Sequence, residues 1–387
     1  MSSIEDDYLA PRGIASAMAL GIIGALTIWI VPGLIGLFSD QAPLDDRHLG
    51  YVAAWEINSM AVTIGITALI MRRVNWRMLA LLALALMVVG NLCTALTHSF
   101  GPIVEVRVVA GAGEGIAVGI SFAALGRSRN PNRIFAIYLV AGSVFSAAIL
   151  AFLPALSAYF GSSLLFVGIA SMAAIVALGV PWFPVGGSTD GSAVPGKSSI
   201  DIRLAAISLI GVFLYFLAQG AVWSYFELIG HANNIDAVQI SRALAVATLA
   251  GIGGALLAAA LPTRLGRAWP LVLCGVLSTF SFLLLKGHVA APIFLMAGVL
   301  LMFAWQLSQP LLSGLCCEAD GEGRIVCAMG CVQTIGVGLG PAVAALLLSN
   351  QDFTPVIWMS SAVLVVSLAI VLTGILGSRR VAPVPVT

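Results

Sequence analysis

Apolar residues run along this chain in long, nearly unbroken blocks separated by short polar breaks. Twelve blocks stand out, at 14–38, 50–71, 78–97, 102–125, 134–156, 162–182, 204–227, 240–261, 269–285, 291–315, 325–349 and 354–376. Most span about 20 to 25 residues, the length a helix needs to cross a bilayer. Lipid offers the backbone no hydrogen-bond partner, so each block is predicted to be a helix that satisfies its own N–H and C=O groups. One connector is long, from Phe183 to Arg203. It is rich in Gly, Ser and Pro and lacks an apolar period, which marks a flexible linker. The pattern predicts an all-α membrane protein with twelve transmembrane helices in two six-helix bundles. The expected division is 1–183, a cytoplasmic linker at 184–203, and 204–387.

Composition supports this reading. Of 387 residues, 60% are hydrophobic and 9% are charged, and the mean hydropathy is +1.06. A soluble domain carries about 25% charged residues. A net charge of +1 also argues against a nucleic-acid partner. Basic residues then set the orientation. With the N-terminus inside, the inner connectors hold 14 of the 18 Lys and Arg residues and the outer connectors hold Arg47, Arg242 and Lys286. That bias predicts both termini on the cytoplasmic side of a cytoplasmic (inner) membrane. The acidic start (Glu5, Asp6, Asp7) lacks the basic character of a secretory signal, so the first block is expected to be a retained helix. The linker contains Gly191-Ser-Ala-Val-Pro-Gly196-Lys197-Ser198, which satisfies a phosphate-loop pattern. Without a preceding strand it reads as a chance match.

Three local patterns carry a family resemblance. The fourth segment contains Arg107-Val-Val-Ala-Gly111-Ala-Gly113-Glu114-Gly115. The loop after the eighth reads Leu261-Pro-Thr-Arg264-Leu-Gly266-Arg267, with Thr263 where an acid would stand. The eleventh contains Gly336-Val-Gly-Leu-Gly340-Pro341. Together with the topology, they resemble the major facilitator superfamily of secondary transporters. The fourth segment is also similar to the organic-anion symporters and the spinster-like lipid carriers. The resemblance implies alternating access, with segments one, four, seven and ten lining the path. It implies roles in substrate and proton binding for Arg107 and Glu114, and conformational roles for Arg264, Arg267, Gly336, Gly340 and Pro341.

The deep polar residues are the candidates for chemistry, because an ionised group at the bilayer centre costs at least about 2.5–3.5 kcal/mol on insertion scales. Arg107 and Glu114 share a helical face about 10 Å apart along the axis. That rise is read as too long for a direct bond. Arg107 is expected to hold an anionic group and Glu114 to load a proton, since lost hydration favours the neutral form of a carboxyl. Glu56 lies at a depth similar to Arg107 and is a second proton candidate. An ion pair between Glu56 and Arg107 reads equally as an outer gate or as simple neutralisation. The seventh segment carries Tyr215, Gln219, Trp223 and Glu227 at four-residue spacing. The tenth carries Gln306, Gln309 and Ser313, and the first offers Thr27 and Trp29. Trp29, Tyr215, Gln219, Trp223, Gln306 and Gln309 are expected to touch substrate, and Glu227 to act in gating. Gly111 and Gly115 follow the small-residue spacing that lets helices approach. Trp55, Trp76, Trp182, Trp269 and Trp358 read as interface anchors.

Four histidines fall in different connectors without ligand spacing, and the cysteines make no Cys-x-x-Cys pair, so neither metal nor cofactor is expected. The role of Cys316, Cys317, Cys327 and Cys331 stays open beyond small-residue packing. No H-E-x-x-H or G-x-S-x-G motif points to an enzyme. The function expected is a monomeric, proton-coupled symporter of a small organic molecule, most simply an organic anion, with membrane lipid as surroundings. The alternatives are a proton-driven exporter of drugs or lipophilic compounds, and a non-transporting sensor or scaffold.

Overall fold

The computed structural model describes residues 10–71, 73–186, 200–261, 268–320, 324–348 and 352–378. The described residues are helical apart from short connectors. The chain divides into two compact units, Met1–Gly191 and Ser192–Thr387.

The first unit holds α1 (Pro11–Gln41), α2 (Asp46–Ile70), α3 (Trp76–Leu96), α4 (Phe100–Leu125), α5 (Pro131–Phe160) and α6 (Ser162–Ala177). The second holds α7 (Ile202–Ser224), the short α8 (Phe226–Ala232), α9 (Ala237–Ala260), α10 (Ala268–Leu284), α11 (Ala291–Ala319), α12 (Arg324–Leu347) and α13 (Thr354–Ser378). Ten of these helices are long and apolar enough to cross a membrane, and α6 and α10 are shorter apolar helices. The chain is an integral membrane protein.

Polar residues in the breaks start the helices. Asp45, Asn75, Asn130, Asp201 and Asp236 each accept a hydrogen bond from a first-turn backbone N–H of α2, α3, α5, α7 and α9. Such caps satisfy donors that the helix leaves orphaned. Pro11 and Pro131 stand at the first turns of α1 and α5, where a missing N–H costs nothing.

Two segments differ from their expected extent. The sixth stops at Ala177 and gives way to a single 3-10 turn, Val180–Trp182. Gly179 and Pro181 both disfavour continuation there. The seventh breaks at Tyr225, whose φ of −92° and ψ of 4° are not helical, and resumes as α8. Apolar composition alone does not register such a break. The start of the connector, 183–186, is held against the first unit: Phe183 is buried, its carbonyl accepts from Arg77 Nε at 2.6 Å, and the Val185 carbonyl accepts from the Trp76 N–H at 2.7 Å. The phosphate-loop match at 191–198 lies outside the described residues.

Glycines set the tightest helix contacts. A methyl added to Gly111 or Gly115 of α4 would collide with the backbone carbonyls of Glu56 and Met60 on α2. On α3, a methyl at Gly90 would lie 2.8 Å from the Ala110 nitrogen of α4. In the second unit, a methyl at Gly336 of α12 would lie 2.7 Å from the Phe213 oxygen of α7, and one at Gly340 would lie 2.6 Å from the Leu217 oxygen. Pro341 is buried within α12.

Candidate functional site

The first unit gathers its deep charged residues into one cluster. Gly111 brings α4 against α2 at the level of Glu56. On the other side, a methyl on Gly24 of α1 would lie 2.9 Å from the Ala117 Cβ and 3.0 Å from the Glu114 oxygen of α4. Thr27, one turn beyond Gly24, is thereby carried to the carboxyl of Glu114. The same small-residue spacing that packs the helices therefore also assembles the polar groups.

Arg107 is the centre of the cluster and is 1% exposed, as is Glu56; Glu114 is 2% exposed. The Arg107 Nη2 forms an ion pair with Glu56 Oε1 and lies 3.8 Å from Glu114 Oε1. Its Nη1 donates to Asn91 Oδ1 of α3 at 3.0 Å, and Asn91 Nδ2 donates to the Met87 carbonyl at 2.8 Å. The Phe38 and Phe166 rings stack on each other at 5.2 Å and lie 5.7 and 5.8 Å from the guanidinium carbon. Aromatic faces attract a cation most strongly where water is excluded. Thr27 Oγ1 lies 2.7 Å from Glu114 Oε1 and 3.3 Å from Glu56 Oε1, within reach of both carboxyls. Arg107 Nε and Glu114 Oε2 have no hydrogen-bond partner among the described residues.

This geometry corrects one expectation. Arg107 and Glu114 do meet, because the axial rise measures backbone separation while two long side chains span the rest. A seven-residue spacing on one face is within such reach. The Glu56–Arg107 pair matches the pairing read from helix depth. With both acids ionised the cluster carries a net charge of −1, and one bound proton makes it neutral. The arrangement can therefore take up a proton, or a proton together with an anion, since a buried charge persists only with compensation.

Asn91, Phe38 and Phe166 escaped the sequence reading. The signal for Asn91 was available, an amide inside an apolar block where polar groups seek partners. The two phenylalanines carry no signal that separates them from ordinary core residues.

The remaining candidates make separate contacts within their own units. Trp29 packs on α5, against Gly142 and 5.8 Å from the Tyr138 ring. Tyr215 and Gln219 converge on Ser278 of α10, at 3.4 and 2.8 Å, and both are buried. Trp223 is buried against Phe226 at 5.8 Å. Gln306 faces α9, where a methyl on Gly251 would lie 2.9 Å from its Cγ. The Gln309 backbone carbonyl accepts from the Ser313 hydroxyl at 3.0 Å, and the residue is half-buried. Glu227 lies on α8, 3.8 Å from His231 Nε2. A drift of about 40° per step turns the four-residue stripe of Tyr215, Gln219 and Trp223 around α7, and the break at Tyr225 sets Glu227 apart from it.

Trp76 is a correction. It is 3% exposed, its Nε1 donates to the Met71 carbonyl at 2.7 Å, and Arg127 lies 4.2 Å over its ring. It closes one end of the first unit instead of facing lipid headgroups. Trp55, Trp182, Trp269 and Trp358 are each more than half exposed, as anchors would be. Arg264 and Arg267 lie outside the described residues. No group of three metal-ligating side chains occurs among the described residues.

No family model matches the sequence, and no curated protein matches it. Solved structures do. The human organic anion transporter MFSD10 (TETRAN) is 16% identical, with a TM-score of 0.66 over 94% of this chain and 100% of that one. The nucleoside transporter NupG, in a mutant form, is 12% identical, with a TM-score of 0.75 over 93% of this chain and 99% of that one. Similarity at this identity is a similarity of fold: the chain folds as these two transporters do, in keeping with the resemblance read from its topology and local patterns.

Proposed function

We propose that this protein is a secondary active transporter that moves a small organic anion together with protons by alternating access. The observation that carries the reading is the buried Glu56–Arg107–Glu114 cluster. Arg107 is committed to Glu56 and Asn91. An anion gains the guanidinium only as Glu56 releases it, and a carboxylate releases a cation when it takes up a proton. Binding of anion and proton are thus linked through the guanidinium, with Glu114, 3.8 Å from it, as the acid that carries the proton onward, which meets the requirement for symport. The organic-anion specificity of one fold relative supports the same substrate class.

The rest of the proposal follows the charge pattern and topology. Twelve spans are formed by α1–α6, the broken α7–α8, and α9–α13, with both termini on the cytoplasmic side. The halves 1–183 and 204–387 are the moving bodies, and the working unit is a monomer in the cytoplasmic membrane.

The test is uptake by proteoliposomes under an imposed inward proton gradient, with a panel of labelled mono- and dicarboxylates. Nucleosides and lipophilic cations serve as comparators. Carboxylate accumulation driven by the gradient is expected, and Glu114→Gln is expected to abolish the gradient dependence while leaving counterflow. Accumulation of lipophilic cations alone, or a Glu114→Gln protein that still follows the gradient, defeats the proposal.

A further inference from the structure

Thr27 is the one described side chain outside the ion pair whose polar atom lies within 3.3 Å of both carboxyls. Its hydroxyl has one proton to donate and lone pairs to accept with. It cannot donate fully to both acids at once. If one acid is protonated and the other ionised, both contacts are satisfied together: the acid donates to Oγ1, and the Thr27 hydroxyl donates to the carboxylate.

The two acids lie at different depths. The ends of α1 and α3 are joined on one side, where Gln41 Nε2 donates to the Thr94 and Thr97 carbonyls at 2.6 and 2.8 Å, and the starts of α2 and α4 meet through the His48 and Phe100 rings, 4.3 Å apart. From that side Glu56 is ten residues into α2, about 15 Å, and Glu114 is fourteen residues into α4, about 21 Å. The charged groups facing Thr27 from the packed elements are Glu56 on α2 and Arg107 and Glu114 on α4. Facing the cluster, α3 contributes the neutral amide of Asn91, and α6 contributes the ring of Phe166.

We infer that Thr27 is a hydroxyl relay that passes a proton between the shallower Glu56 and the deeper Glu114. In the inward step the O–H bond of protonated Glu56 breaks and its proton bonds to Thr27 Oγ1. The original Thr27 proton leaves for Glu114 Oε1. Glu56 ends as a carboxylate beside Arg107, Glu114 ends neutral, and Thr27 is unchanged. No charge beyond the single proton moves, and no other reactant is needed. The step places Glu56 back on the guanidinium as Glu114 becomes loaded. The inference rests on the proton coupling proposed above.

The experiment needs no transported substrate. Infrared spectra of the full-length protein in lipid are followed across pH and after transfer to heavy water, for the parent, Thr27→Val and Thr27→Ser. Glu114→Gln and Glu56→Gln assign the protonated-carboxyl band, and circular dichroism checks the fold. Thr27→Val preserves the shape of the side chain, and Thr27→Ser preserves the hydroxyl. The Glu114 carboxyl is expected to exchange its proton about tenfold or more slowly in Thr27→Val, and within about twofold of the parent in Thr27→Ser. Equal exchange in Thr27→Val overturns the relay and leaves proton coupling standing. Absence of a protonated-carboxyl band at every pH overturns both.

Discussion

A single guanidinium organises the first unit, and its partners do not contribute equally. Asn91 fixes Arg107 Nη1 from α3 while its own amide is held by the Met87 carbonyl. Replacing it by leucine leaves a buried charged donor unpaired, which costs about 1.5–3 kcal/mol. Thermal unfolding of Asn91→Leu in detergent should show that loss. Removing Arg107 is worse, because two carboxyls then lack compensation. Arg107→Gln should cost about 3–5 kcal/mol, and adding Glu56→Gln should recover a large share of it. A double-mutant cycle on unfolding free energy measures the coupling, and simple additivity of the two changes contradicts the ion pair. Much of this was legible in the sequence. Arg107, Glu114 and Glu56 are conspicuous as charges in apolar blocks. What the sequence hid was reach: residue spacing gives the distance between backbone positions, not the span of the side chains between them.

Glycine decides how closely the helices pack. Gly111 and Gly115 bring α4 onto α2, and Gly336 and Gly340 bring α12 onto α7. Gly115→Ala meets a backbone carbonyl that cannot rotate away, so α2 and α4 must separate. The expected loss is about 1–3 kcal/mol. Gly168→Ala on α6 finds nothing within 4 Å and should be neutral or slightly stabilising through helix propensity. Comparing the two by melting temperature isolates the packing effect, and equal shifts would speak against it. The apolar blocks predicted the long helices well, because lipid requires closed backbone hydrogen bonding. Their ends were less legible. Tyr225 interrupts α7 with no Gly or Pro to announce it, and Ala177 ends α6 ahead of a Gly179–Pro181 pair that the apolar count passed over. Trp76 was misread because a tryptophan beside a basic loop looks the same whether it meets lipid or, as here, the face of Arg127.

Over the molecule, polarity is unevenly shared. The first unit has a deep cluster of full charges, whereas the second unit concentrates its deep polarity in the neutral Tyr215, Gln219 and Ser278. Gln219 Oε1 has no hydrogen-bond partner among the described residues. A half-satisfied buried amide contributes little stability, so Gln219→Leu should change unfolding free energy by less than about 1 kcal/mol. Its effect on anion counterflow then tests the expected substrate contact: a large loss at unchanged stability supports it, and unchanged counterflow removes Gln219 from the binding surface. The two-part organisation was visible in the run of blocks and the one long connector. The unequal division of labour was visible only in part, since neutral amides in apolar blocks serve packing and recognition alike.

The place beside the stacked Phe38 and Phe166 rings has a further consequence. It suits a flat, forked cation, and an ammonium on a thin stem has neither the plane to lie along the rings nor enough directed donors to reach an amide and a carboxylate together. Exchanging Arg107 for lysine would conserve the formal charge yet untie α3 from α2. What looks like the mildest change in the protein would be among the most disruptive.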